Sequence, residues 1–196
     1  RRLVARALEL SSTGEVLLEE SPAGRHEYEF VVVRDAVDNV IAVCSIEHVE
    51  PQGSRWNDGV CVAPALTLTG HQYRNMREAA VAVVRAAGLH GGSATVRFGA
   101  DPESGETVVA SVDPRLTRSS ALVSKATGVP IAGIAARLAV GYALDEISNG
   151  IAGSISACFE PAPDYVVVSM PCPMHGRSQP ADIEPPAHEG SAGRVM

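Results

Sequence analysis

Two apolar runs rich in β-branched residues, Glu27–Arg34 (EYEFVVVR) and Val40–Ile46 (VIAVCSI), are separated only by the acidic, Asn-containing stretch Asp35–Asn39. Runs of this kind bounded by turn residues are strands, and a connection so short returns the second strand antiparallel beside the first. The chain therefore starts its sheet with a hairpin. Val16–Glu19 reads as a further short strand after the turn Ser11–Gly14, and Val60–Ala65 as another after the loop Glu50–Gly59 (EPQGSRWNDG).

From Thr69 the apolar period changes. Thr69 is placed to cap a helix in which Tyr73, Met76, Ala80, Val83 and Val84 recur at helical spacing, and Gly88 stops it. A second hairpin follows, Ser93–Ala100 and Thr107–Asp113 around the turn Asp101–Glu106. Two helical segments, Ser119–Ala126 and Ile131–Leu144, are split by Gly128–Pro130. Strands, helix, hairpin and helices in that order imply an α+β layer packing rather than βαβ winding. Arg1–Leu10 reads as the end of an amphipathic helix with Leu3, Val4, Ala7 and Leu8 on one face, so that a preceding segment is expected. Residues 171–196 carry five prolines and three glycines, and read as a poorly ordered tail or linker behind a folded unit at 1–170.

Sixteen basic against twenty-three acidic residues give a net charge of −7, which argues against nucleic acid or an anionic membrane as partner. No apolar stretch approaches the ~18–20 residues of a membrane span and no signal peptide opens the chain, so a cytoplasmic location is expected. Cys44, Cys61, Cys158 and Cys172 form no CxxC pair and read as buried or idle thiols. The phosphate loop GxxxxGK[ST], the fingerprint GxGxxG, the elbow GxSxG and the zinc pair HExxH are all missing from the sequence. Trp56 reads as a surface or half-buried aromatic rather than a stacking platform, and His175 and His188 as solvated tail residues.

Chemistry concentrates on the second hairpin. Strand parity puts Val96 and Phe98 on one side and Thr95, Arg97 and Gly99 on the other, with Ser111 and Asp113 sharing the latter face on the return strand. A turn centred near Ser104 sets Arg97 across from Ser111, with Asp113 one step along. The polar side ends in DPRLTRSS, where Asp113, Arg115 and Arg118 converge on a helix start. Backbone donors and two guanidiniums there suit an anion. By spacing alone, a surface salt-bridge cluster fits equally well.

The segment RSSALVSKATGVPIAGIAARLAVGYALDEI, with VCSIEHVEPQG and VAPALTLTGHQYRNM, resembles the large chain of carbamoyl-phosphate synthase, and within it the later half of the first, carboxyphosphate-forming ATP-grasp module. The resemblance runs from about Arg1 to Met170. It implies an α+β ATP-grasp-like C-terminal subdomain, with ATP and Mg2+ as cofactors, bicarbonate as substrate, a glutaminase small chain as partner and self-association as a further possibility. Glu20 and Glu27 match positions contacting adenine and ribose, and Pro22 one that offers its backbone carbonyl to the adenine edge. Gly53, followed by Ser54 and Arg55, matches a nucleotide-contacting loop. Arg115 and Arg118 match the arginines of an NPRxxR motif facing phosphate and bicarbonate, the catalytic positions implied here. Asp113 stands where the family has a metal-binding asparagine, and a carboxylate is at least as good a hard-cation ligand.

The departures fall on the same ground. Ser111 stands in place of an acidic metal ligand, Arg97 in place of a glutamine ligand, and Arg55 in place of a histidine. The family's phosphate-gripping basic residues lie largely in a preceding subdomain, and Arg1–Glu19 holds no glycine-rich phosphate loop. Three readings follow from the resemblance: an ATP-grasp portion that activates bicarbonate once completed, a diverged module kept for interaction or regulation, or nucleotide binding without catalysis in which Arg97 or Arg55 substitutes for a metal's positive charge on the phosphates.

Overall fold

The structure, a computed structural model, describes residues 2–18, 24–49, 59–151, 155–171 and 194–195. An antiparallel sheet of seven strands runs in the order β5-β4-β1-β2-β3-β6-β7. In chain order these are α1 (Arg2–Leu10), β1 (His26–Arg34), β2 (Val40–His48), β3 (Cys61–Ala63), α2 (Gly70–Ala86), β4 (Gly92–Ala100), β5 (Thr107–Asp113), α3 (Arg118–Thr127), α4 (Ile131–Ala139), β6 (Val167–Pro171) and β7 (Arg194–Val195).

β1 lies at the centre because both of its faces are apolar. Tyr28, Phe30 and Val32 pack with Ala94, Val96 and Phe98 of β4 under Met76, Ala80 and Val84 of α2. Phe30 sits 5.5 Å from the Tyr73 ring and 5.9 Å, edge-on, from Phe98. The alternate residues Val31 and Val33 join Cys44 and Ile46 under Leu122, Val123 and Ala126 of α3 and Ile131, Ile134 and Leu138 of α4. The sheet is thus sandwiched between α2 and the α3–α4 pair. Burial of these aliphatic and aromatic side chains, ~1.5–3 kcal/mol apiece, is the main force holding the layers together.

Local signals set the ends. Thr69 caps α2 as expected: its hydroxyl accepts from the Gln72 N–H at 3.3 Å and Gln72 Oε1 accepts from the Thr69 N–H at 3.0 Å. Gly128 closes α3 in the left-handed conformation (φ 75°), which turns the chain into α4. In the β1–β2 turn the buried Asp35 carboxylate accepts the N–H groups of Val37 (3.0 Å), Asn39 (2.8 Å) and Leu144 (2.9 Å).

Three expectations change. Val16–Leu18 form no strand, since no neighbouring strand pairs with them, and Leu17 and Leu18 face solvent. The last helix stops at Ala139 instead of Leu144: Gly141 adopts φ 97°, and the chain re-enters the core through a single 3-10 turn at Leu144–Glu146. β6 was not expected; it pairs with β3 through Cys61↔Ser169 and Ala63↔Val167, and reaches Pro171, where it meets β7. Arg1, Trp56, Cys172, His175 and His188 lie outside the described residues. No single described helix is long and apolar enough to cross a membrane.

Candidate functional site

The polar site is the end of the α3-facing side of the sheet, where the apolar sequence of β1 gives way to Glu27 and Glu29. Register brings its parts together: Glu29 pairs with Arg97 on β4, and Arg97 with Ser111 on β5. A bulge makes the second pairing. Phe98 opposes Val109 while Arg97 opposes Ser111, so Ala110 is the extra residue that moves Ser111 and Asp113 onto this face.

Glu29 is the anchor. It is 1% exposed, and its Oε1 accepts from Arg97 Nε at 2.9 Å and His48 Nε2 at 3.0 Å. The Ser119 hydroxyl, on the first turn of α3, donates to Oε2. Burial alone would favour the protonated acid. The hydrogen bond and charge of His48, the Ser119 hydroxyl and the Arg97 charge outweigh it and hold the carboxyl below its ordinary range.

His48 ends β2, with Cys61 Sγ 3.5 Å from Nδ1. Burial opposes its charge, yet the Cys61 and Glu29 hydrogen bonds and the Glu29 carboxylate lift its pKa to about 10. At neutral pH the ring is an imidazolium. Glu27, which pairs with His48 and Gly99, is shifted upward by burial, against the pull of His48 and Arg97.

The outer rim is the β5–α3 corner. Asp113 Oδ2 lies 3.7 Å from Arg97 Nη2, and Asp113 Oδ1 lies 3.8 Å from Arg115 Nε. The Arg115 side chain is 75% exposed. Arg118, the first residue of α3, also faces solvent. Thr95 and Thr117 hydroxyls, 3.0 Å apart, fasten β4 to the start of α3. Asp113 and Arg115 thus meet at this corner, and Arg118 stands three residues further on, where α3 begins. Glu27 lies on the same face, across Gly99 from β5. Glu20, Pro22, Gly53, Ser54 and Arg55 lie outside the described residues.

Glu29, His48, Cys61 and Ser119 were missed by sequence reasoning. Glu29 carried a usable signal, an acid at the parity of buried Val31 and Val33. Ser119, ninety residues from Glu29, carried none.

The family resemblance implies Mg2+ here, and the side chains present do not fit it. Nucleotide-bound Mg2+ takes one or two near-octahedrally placed carboxylates besides phosphate oxygens. Ser111 supplies no carboxylate, Glu29 is already engaged by three internal donors, and Asp113 lies beside both Arg97 and Arg115. His48 addresses Glu29 and Cys61 through opposite ring nitrogens, so these residues cannot close on one ion. Among the described residues no group of three or more His, Cys, Asp and Glu side chains is placed to hold a metal ion.

Residues 1–147 match the family described as carbamoyl-phosphate synthase L chain, ATP binding domain. The chain is similar to the carbamoyl phosphate synthase large chains of Beutenbergia cavernae (54% identical over 171 residues, 87% of this chain and 15% of the relative) and Xylella fastidiosa strain 9a5c (49% over 195 residues, 99% of this chain and 18% of the relative). It thus spans less than a fifth of the length of these relatives, and the second match runs past Met170 into the tail. Among solved structures it is similar to Rhizobium etli pyruvate carboxylase (TM-score 0.68, 20% identical, 86% of this chain and 14% of that one). It is also similar to the biotin carboxylase domain of Hydrogenobacter thermophilus 2-oxoglutarate carboxylase in complex with MgADP, ADP and bicarbonate (TM-score 0.67, 20% identical, 86% of this chain and 34% of that one). These likenesses establish the α+β, ATP-grasp-like fold.

Proposed function

Because the chain belongs to the family of carbamoyl-phosphate synthase large-chain ATP-binding domains, we propose that it forms the later half of an ATP-grasp site in which ATP activates bicarbonate as carboxyphosphate, towards carbamoyl phosphate. The observation that carries this reading is the β5–α3 corner, where Arg115 and Arg118 are exposed beside the first backbone N–H groups of α3. Phosphoryl transfer needs little covalent participation from protein; it needs positioning and compensation of charge on oxygens. The two guanidiniums hold the anionic acceptor against the incoming phosphoryl group, with the helix N-terminus adding partial positive charge. Asp113 orients Arg115, and Glu27 accepts hydrogen bonds from ribose hydroxyls. A glutaminase small chain would supply the nitrogen donor, in the cytoplasm.

A second reading, nucleotide binding with turnover lost, is favoured by one feature: Ser111 faces Arg97 where an acidic ligand would be needed. The test is a chimaera in which residues 1–195 replace the matching stretch of the Xylella fastidiosa large chain. ADP release stimulated by bicarbonate, and abolished by Arg115→Ala, is the expected result. Nucleotide binding with no bicarbonate-stimulated ADP release would overturn it in favour of the second reading.

A further inference from the structure

We infer that Arg97 is the resident cation of this site: its guanidinium lies between the Glu29 and Asp113 carboxylates, opposite Ser111, and keeps a divalent ion out, so that a nucleoside polyphosphate is taken up here free of metal.

The geometry carries the first part without reference to nucleotide. Arg97 Nε donates to Glu29 Oε1 at 2.9 Å while Nη2 lies 3.7 Å from Asp113 Oδ2, so one planar cation spans the carboxylates of two strands. Its side chain is 14% exposed, fixed by the β-ladder on both sides and by the bulge that places Ser111 opposite. A guanidinium stays charged at every working pH and has a rigid fork suited to bridging oxygens. The rest of the face is balanced around it: Glu27, Glu29 and Asp113 are met by Arg97, His48 and Arg115. A divalent ion entering beside Asp113 would face the Arg97 and Arg115 charges at close range. A single unit-charge repulsion near 4 Å at an effective dielectric of ~20 lowers an affinity by on the order of 100-fold or more. A metal-free polyphosphate meets the opposite balance, since the exposed rim at Arg115 and Arg118 is cationic.

The uptake of polyphosphate rests on the nucleotide reading proposed above, whereas the exclusion of metal does not. The experiment separates them. Mn2+ alone is titrated into the chain and followed by electron paramagnetic resonance, for the parent, for Ser111→Glu, and for Ser111→Glu combined with Arg97→Gln. Circular dichroism checks folding. The parent and Ser111→Glu are expected to take up no saturable Mn2+, and the double variant to bind at least about 100-fold more tightly. Saturable uptake by the parent, equal uptake by both variants, or no gain in a folded double variant would overturn the inference. Should the double variant not fold, the exposed Ser111→Glu decides alone, because Mn2+ binding beside an intact Arg97 contradicts the exclusion. ADP is then titrated by calorimetry in EDTA and in Mg2+. Affinity that EDTA leaves within about twofold supports metal-free uptake, and affinity that requires Mg2+ overturns it. No ADP binding in either buffer, with the Mn2+ results as expected, overturns metal-free uptake and the nucleotide reading while metal exclusion stands.

Discussion

Replacing Glu29 by Gln removes the carboxylate to which both the Arg97 guanidinium and the His48 imidazolium donate hydrogen bonds. The side chains of Arg97 and His48 are 14% and 10% exposed, so water replaces little of what is lost. With Asp113 still 3.7 Å from Arg97 Nη2 the loss falls chiefly on His48, and removing one partner of a buried pair costs roughly 3–5 kcal/mol. His48 can discharge part of that by losing its proton, and the amide oxygen still accepts one hydrogen bond, which places Glu29→Gln near about 3 kcal/mol at pH 7. For a domain of this size the melting temperature falls by roughly 10 °C. Urea unfolding followed by circular dichroism measures it, with an unchanged m-value showing that the native fold persists. Glu27→Gln is the control. Burial already disfavours the Glu27 charge, so this change is neutral or mildly stabilising. A double cycle with Arg97→Gln isolates the pair and should return a coupling of about 1–3 kcal/mol. A loss below about 1 kcal/mol for Glu29→Gln, or a coupling near zero, refutes the role given to Glu29 as anchor.

The same network predicts pH dependence with a definite sign. The His48 pKa rises from 6.5 to about 10 on folding, so its stabilisation is complete below pH 6.5 and is lost as pH climbs towards 10. Glu29 is depressed from 4.5, so its contribution holds above that value and is lost as pH falls through the folded-state value. Urea midpoints across this range should show the alkaline decline, and His48→Asn should flatten it. Burial drives the Cys44 thiol up to about 12, so mass spectrometry after iodoacetamide at pH 8 should find Cys44 unlabelled in native protein and labelled in urea. Asp35→Ala strands the Val37, Asn39 and Leu144 N–H groups and should cost about 3 kcal/mol, with faster hydrogen exchange at the Leu144 amide as a local readout.

Much of this architecture can be read from local pattern. The parity of Thr95, Arg97 and Gly99 against Val96 and Phe98 already separates the two faces of β4, and a turn centred near Ser104 predicts that Arg97 opposes Ser111. The bulge at Ala110 that produces this pairing is not visible in the sequence, because its effect coincides with that of a turn centred one half-step later. Val140–Leu144 is apolar enough to prolong a helix, and only the positive φ of Gly141 ends it. β6 depends on β3 as a partner about a hundred residues earlier, and nothing local announces that pairing. The site shows the same division. Asp113, Arg115 and Arg118 are neighbours in sequence and were legible together. Glu29, His48 and Ser119 meet only through β1, β2 and the docking of α3, so their network required the fold.

The decisive measurement is bicarbonate-dependent ADP release by the chimaera with the Xylella fastidiosa large chain, at varied Mg2+, before and after Arg97→Gln with Ser111→Glu. If a fixed guanidinium has displaced a metal ligand set, the parent is slow and indifferent to Mg2+, and the double variant gains turnover of at least about tenfold together with Mg2+ dependence. A parent that already requires Mg2+, or a folded double variant that gains nothing, would contradict it.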